Sequence, residues 1–147
     1  GLVDTPPTPE YPGLREELAS RHTLDEVRSW VARAAADHRD PRVRAAFLLC
    51  PGFGPLLSAE SLAQVRVPVA VRWTAADEIV PAQQNGMRYA AGVPGAEGGA
   101  VGTPESGHYG FVIPAQDDPR AKADVLAAST SFFGRTLAGS SWGTGPA

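Results

Sequence analysis

Apolar residues recur at helical spacing early in this chain and then condense into short, continuous runs after residue 40. From Thr23 onward Leu24, Val27, Val31, Ala34 and Ala35 repeat at the period of an amphipathic helix, with Arg28, Arg33 and Asp37 on other faces. Thr23-Leu24-Asp25-Glu26 has the form of a capping box, in which Thr23 caps the helix and Glu26 reaches back. A shorter helix is expected over residues 14–20. Val43 to Cys50 is a continuous apolar run interrupted by one charge and closed by Pro51-Gly52-Phe53-Gly54-Pro55, which predicts a strand buried on both faces. Ser58 to Gln64 reads as a short helical link, and Val65 to Trp73 as a second strand. Pro68, near the start of that strand, fits only where no ladder bond is required. Pro81 to Ala91 reads as a helix with Pro81 at its first position and Gly92 at its end. A third, short strand is expected at Ala100 to Thr103. A last helix opens at Asp118-Pro119, cap and first position, and runs through Val125, Leu126, Phe132 and Phe133 to Leu137.

Strands that alternate with helices pair in parallel, joined by crossovers, with the helices covering the sheet. The expectation is therefore an α/β chain in three parts. Residues 1–39 form an extended arm, with four prolines between residues 4 and 13, followed by a helical, cap-like segment. Residues 40–138 form the α/β core portion. Residues 139–147 form a Gly/Ser-rich flexible tail. Three strands are few for such a sheet, which reads as the trailing piece of something larger.

Composition narrows the field. Of 147 residues, 13 are Lys or Arg and 16 are Asp or Glu, for a net charge of −3, and no block of like charge occurs. That argues against nucleic acid as a partner, which requires clustered Lys and Arg. Lys122 is the sole lysine, a bias we attribute to base composition rather than function. The single cysteine, Cys50, excludes an internal disulfide and a cysteine-based metal cluster, and its apolar surroundings favour a buried, inert thiol. No apolar stretch is long enough to span a membrane, and the first residues do not resemble a secretory signal. A cytoplasmic location is expected, with secretion left open, as is a processed or truncated start.

The residues with chemistry to offer fall at strand ends. In open α/β sheets ligands bind beyond the carboxyl ends of the strands. Asp77 lies in the turn after the second strand and His108 in the loop after the third, within Pro104-Glu105-Ser106-Gly107-His108-Tyr109-Gly110-Phe111. In parallel neighbours both side chains reach the same edge. A carboxylate that accepts Nδ1–H fixes the imidazole tautomer and stabilises its cation, so that the ring serves as general base and then acid. Structural alternatives stand beside this one: Asp77 as a helix cap near Pro81, and Gly107-His108-Tyr109 as a plain turn. His22 and His38 read as surface residues, and the scattered histidines suggest no metal site.

Taken in series, Asp40 to Phe47 leading to Cys50-Pro51-Gly52, then Val67 to Val71, then Asp77-Glu78-Ile79-Val80-Pro81, then Gly107 to Phe111, resemble the final three strands of α/β-hydrolases, most closely the dienelactone-hydrolase-like group. The likeness covers residues 40 to 112, and the last helix fits it. The resemblance implies Asp77 as the triad acid, with Glu78 as the fallback, and His108 as the triad base. Some members place the acid after the preceding strand, but Pro51 to Leu57 contains none. Residues 14–38 would stand where hydrolases insert a cap. Trp73 and Tyr109 become candidate substrate contacts, and no cofactor or metal is implied.

The chain also departs from that pattern. The nucleophile of this fold sits in Gly-x-Ser-x-Gly between a strand and a helix, ahead of the acid. The only such string, Gly139-Ser140-Ser141-Trp142-Gly143, follows a helix at the C-terminus and reads as a chance match. The backbone donors of an oxyanion hole are missing with the nucleophile. Trp73 and Thr74 stand where relatives have a small residue or Gly, and Glu105 and Ser106 before Gly107 are likewise atypical. The sequence thus reads as the C-terminal portion of a hydrolase acting on an ester, lactone or related acyl bond. Its expected partners are an acyl substrate and the missing N-terminal half, or a homodimer that covers the open sheet edge. A non-catalytic binding or assembly module is the alternative.

Overall fold

The computed structural model describes residues 20–34, 39–111 and 113–138. The extended arm, most of residues 14–20, His38 and the segment from Gly139 onward lie outside these residues. Helix α1 spans Leu24–Ala34 and opens with the expected capping box. The Glu26 carboxylate accepts from the Thr23 amide at 2.8 Å and the Thr23 hydroxyl at 2.9 Å, while Thr23 Oγ1 accepts from the Glu26 amide at 3.3 Å. These bonds hold the Glu26 carboxyl below its usual range, the backbone contact contributing most.

Three strands follow in chain order: β1 at Ala46–Leu49, β2 at Val69–Trp73 and β3 at Glu97–Ala100. They pair in parallel in the order β1-β2-β3, with Ala46 opposite Val69 and Ala70 opposite Glu97. Helix α2 (Ala59–Ala63) connects β1 to β2, α3 (Gly86–Gly92) connects β2 to β3, and α4 (Pro119–Leu137) closes the described chain. Pro68 stands just outside β2 and contributes only its carbonyl, which accepts from the Ala46 amide at 3.0 Å. Its missing N–H therefore leaves no gap in the ladder.

Alternation along β1 and β2 sends side chains to two layers. Val69 and Val71 join Leu62 of α2 and Val93, with Ala46, Leu48, Trp73, Tyr89 and Ala90 packed around them. On the opposite face Phe47 meets Phe132 and Phe133 of α4, with ring centroids 6.1 and 6.2 Å apart, and Phe132 is 1% exposed. Ala70 and Val71 of the central strand are wholly buried. The apolar run from Val43 to Cys50 predicts a longer strand, buried on both faces. The observed strand has four half-buried residues because only β2 pairs with it among the described residues, and Val43 is 50% exposed.

Three further boundaries differ from expectation: the second strand, expected from Val65, starts at Val69, since Pro68 brings no N–H to the ladder, and two others differ for tertiary reasons. The helix expected from Pro81 starts at Gly86, after a turn over residues 82–85. Asn85 is buried there, and its Oδ1 accepts from the Gly54 amide at 2.9 Å while its Nδ2 donates to the Pro81 carbonyl. The third strand lies at Glu97–Ala100 rather than Ala100–Thr103. Glu97 fixes this register: its carbonyl accepts from Arg72 at 2.8 Å and its carboxylate from Arg135 at 2.7 Å. Of the two glycines in this strand, Gly98 lies directly beneath helix α3, whereas Gly99 faces open space. A Cβ on Gly98 would come within 2.6 Å of the Ala90 methyl and 3.2 Å of the Trp73 ring.

This close approach gives a paired test. Gly98→Val is expected to destabilise the chain by about 1–3 kcal/mol through overpacking. Gly99→Val, where a Cβ meets nothing within 4 Å, is expected to cost much less. Denaturant titrations of the two variants that gave equal losses would contradict the packing.

A second test concerns acid stability. The Asp118 carboxyl is held below its ordinary value of 3.8, first by the Ala121 amide it caps and then by the Ser106 hydroxyl. A carboxyl lowered on folding adds stability that is complete above its unfolded value and lost as pH falls through its lower folded value. Asp118→Ala should therefore melt earlier than wild type at neutral pH, and its melting temperature should fall less as pH drops below about 4. Parallel pH profiles of the two proteins would refute this.

Candidate active site

Parallel pairing brings the ends of all three strands to one edge. The Cys50 amide donates to the Arg72 carbonyl at 2.8 Å, extending the β1–β2 ladder one residue, and the Val101 amide donates to the Trp73 carbonyl at 2.9 Å. Beyond that edge the loops after β2 and β3 are tied by the Ala76 amide, which donates to the Ser106 carbonyl at 3.0 Å. Ser106 is buried. Its hydroxyl accepts from the Thr103 amide at 2.7 Å and donates to Asp118, the cap of α4. A Cβ on Gly102 would lie 2.2 Å from that hydroxyl, and Gly102 has a φ of 81°, so glycine is required there twice over.

This bracing sets Asp77 beside His108. Asp77 Oδ2 and His108 Nδ1 are 2.8 Å apart. The other carboxylate oxygen, Oδ1, accepts from the backbone amides of Ile79 at 3.0 Å and Val80 at 2.8 Å. The Asp77 side chain is 1% exposed and the His108 side chain 25% exposed. A buried carboxylate without partners is costly, and here three donors satisfy it. Asp77 is not the helix cap that its place near Pro81 suggested, because α3 starts at Gly86; it braces its own turn through Oδ1 and holds the imidazole through Oδ2. The His108 ring packs edge-on against Tyr109, with centroids 4.9 Å apart.

The other candidates fall as follows. Tyr109 adjoins the pair. Trp73 does not: its ring lies under α3, against Gly86 and Gly98. Glu78 is exposed and Asp77 holds the buried position. Glu105 is exposed, and Ser106 is a buried loop tie. His22 is half-buried against Trp30, with ring centroids 4.5 Å apart. The Gly-x-Ser-x-Gly string at Gly139–Gly143 lies outside the described residues.

The residue whose position the sequence did not reveal is Cys50. It ends β1 with a left-handed φ of 43°, uncommon for a residue with a side chain. Its Sγ lies 3.7 Å from the hydroxyl of Thr74, a wholly buried residue. One donor atom each from Cys50, Asp77 and His108 lie within 4.8 Å of one another. Burial pushes the thiol above its ordinary value, and the neighbouring Asp77 pushes it the same way, with the Thr74 hydrogen bond opposing. The thiol is therefore protonated near neutral pH, although Cys50 is half-buried rather than buried as expected. It is, however, a neighbour of the acid–imidazole pair.

Fold and site define a small parallel α/β chain with a buried carboxylate–histidine pair at the carboxyl edge of its sheet. No family model, curated protein or solved structure matches this chain. None of the helices described is long and apolar enough to cross a membrane.

The geometry predicts a tautomer. The neutral His108 ring should carry its proton on Nδ1, toward Asp77, which nitrogen-15 NMR reads directly. Asp77→Asn should shift the population to the Nε2–H form, because the amide can donate to Nδ1. An Nε2–H ring in the wild-type protein would rule out the hydrogen bond as described.

Proposed function

We propose that this chain supplies the acid and the histidine of an α/β-hydrolase-type site that cleaves a carboxylic ester, lactone or related acyl bond. The observation that carries the reading is the 2.8 Å contact between His108 Nδ1 and the buried Asp77 carboxylate. Asp77 holds the Nδ1–H tautomer, which leaves the lone pair on Nε2. That lone pair takes the proton of a serine or cysteine nucleophile as it attacks the acyl carbon, and the imidazolium then protonates the leaving group. In the second half His108 takes a proton from water, which attacks the acyl-enzyme, and returns it to the nucleophile. Each cycle consumes one water and restores the side chains.

Cys50 is a poor choice for that nucleophile. Its thiol is raised by burial rather than activated. The residue after it, Pro51, has no N–H to offer a developing oxyanion, a donor this fold takes from the position after its nucleophile. Cys50 instead occupies the end of β1, where some hydrolases carry their acid. The nucleophile and its backbone donors are assigned to a second segment. The edge of β1 is open among the described residues, with apolar Ala46–Leu49 half-buried along it. Such an edge invites a further parallel strand, and a strand bearing the nucleophile is the occupant proposed, with a homodimer contact as the other way of covering it. A binding or assembly module without catalysis is the second reading. It is favoured by the role of Asp77 Oδ1 in bracing its own turn.

Hydrolysis of a short-chain aryl ester by the assembly that contains this chain separates the two. His108→Ala should lower kcat by about 10³-fold or more, since triad members act as a unit, and Asp77→Asn should lower it by a similar order. Analytical ultracentrifugation of the isolated chain should show self-association, with no esterase activity. A monomer of the isolated chain that turned over the ester, or a His108→Ala assembly as active as wild type, would overturn the proposal.

A further inference from the structure

We propose that Cys50, Asp77 and His108 together form a binding site for a thiophilic divalent cation, Zn²⁺ foremost. The site follows from what parallel pairing does to residues 27 and 31 positions apart. Each follows one strand, and the strands are neighbours, so a thiol, a carboxylate and an imidazole converge with one donor atom each within 4.8 Å of the others. Sulfur, nitrogen and oxygen donors in one set suit zinc; calcium and magnesium take oxygen ligands. Zn–S is about 2.3 Å and Zn–N or Zn–O about 2.0–2.2 Å. A tetrahedral ion therefore holds its donors about 3.3–3.6 Å apart. The thiol has to swing inward, and the Asp77–His108 pair, at 2.8 Å, has to open slightly. Both are side-chain movements.

The surrounding groups support this assignment. Metal-binding carboxylates and imidazoles are usually oriented by further hydrogen bonds or packing. Asp77 Oδ1 is already held by the Ile79 and Val80 amides, the Cys50 sulfur faces the Thr74 hydroxyl, and Tyr109 packs against the imidazole. Three protein ligands leave a fourth position for water, the arrangement of an open zinc site. The quarter-exposed His108 side chain and the half-buried Cys50 give the ion a route in. On binding, the thiol proton passes to solvent and the sulfur becomes a metal-bound thiolate. Coordination through Nδ1 requires the other tautomer, so the ring proton leaves Nδ1 and Nε2 takes one up from solvent, and the imidazole keeps no free lone pair. A filled site therefore cannot accept a proton, and the metal acts as a reversible off-switch for His108; this last consequence rests on the hydrolase reading, whereas binding itself does not.

The test uses the whole chain, reduced and free of substrate. Titration with Co²⁺ should produce a thiolate-to-cobalt charge-transfer band together with the visible bands of tetrahedral cobalt, and Zn²⁺ should displace both. Cys50→Ser should abolish the charge-transfer band, and both Cys50→Ser and His108→Ala should weaken Zn²⁺ binding by at least about tenfold in competition with a chromophoric chelator. Circular dichroism and melting temperature establish that each variant is folded. The conservative Cys50→Ser change keeps the test open even where His108→Ala perturbs the loops. Absence of a thiolate charge-transfer band in wild type, or Zn²⁺ affinity unchanged in folded Cys50→Ser, would overturn the proposal by placing the metal elsewhere. Failure of ester hydrolysis leaves this readout intact, so the two proposals stand or fall separately.

Discussion

The parallel register of three short strands is the constraint on which the site depends. Ala46 pairs with Val69 and Ala70 with Glu97, so the strands end in step and release Cys50, Thr74 and Val101 at one edge. A one-residue slip would exchange the faces of a strand, bringing Arg72 toward the layer now filled by Val69 and Val71 and Leu62. Burial of that layer therefore specifies the register. The register in turn decides which side chains meet beyond the sheet.

Pairing alone does not deliver a 2.8 Å contact between residues on two different loops. Backbone bonds supply the rest: Ala76 to Ser106 across the loops, Ile79 and Val80 to Asp77 within one, and Ser106 to the cap of α4. The last of these couples helix and site. Asp118 starts α4 by accepting from the Ala121 amide, and the same carboxylate receives the hydroxyl of the serine that ties the histidine loop. A helix cap and a loop brace are one group here, so the position of His108 depends on the docking of α4.

The third consequence of the register is a thiol beside the acid–imidazole pair. Cys50 is half-buried rather than fully enclosed, and partial burial is still the largest cause raising its thiol. It also faces Thr74 and lies within reach of Asp77 and His108. Inertness as a nucleophile and fitness as a metal ligand are compatible, because a bound cation supplies the positive charge that stabilises a thiolate in apolar surroundings.

The sequence by itself determined those features that depend on local chemistry. The capping box at Thr23 and Glu26, the Asp118-Pro119 start of α4, the order of strands and helices and the placement of Asp77 and His108 after successive strands were all legible, since caps, prolines and apolar runs act over a few residues. Tertiary structure alone decided the rest. The start of α3 moved to Gly86 because Asn85 spends its side chain on Gly54, a partner 31 positions away. The third strand settled on Glu97–Ala100, glycines included, because Arg72 and Arg135 hold Glu97 and because Ala90 and Trp73 leave no room for a Cβ at Gly98. Trp73 turned into the core beneath α3, away from the site, by the alternation of its strand. Cys50 joined Asp77 and His108 because residues that follow separate strands become neighbours only when those strands pair, and no spacing along the chain encodes that distance.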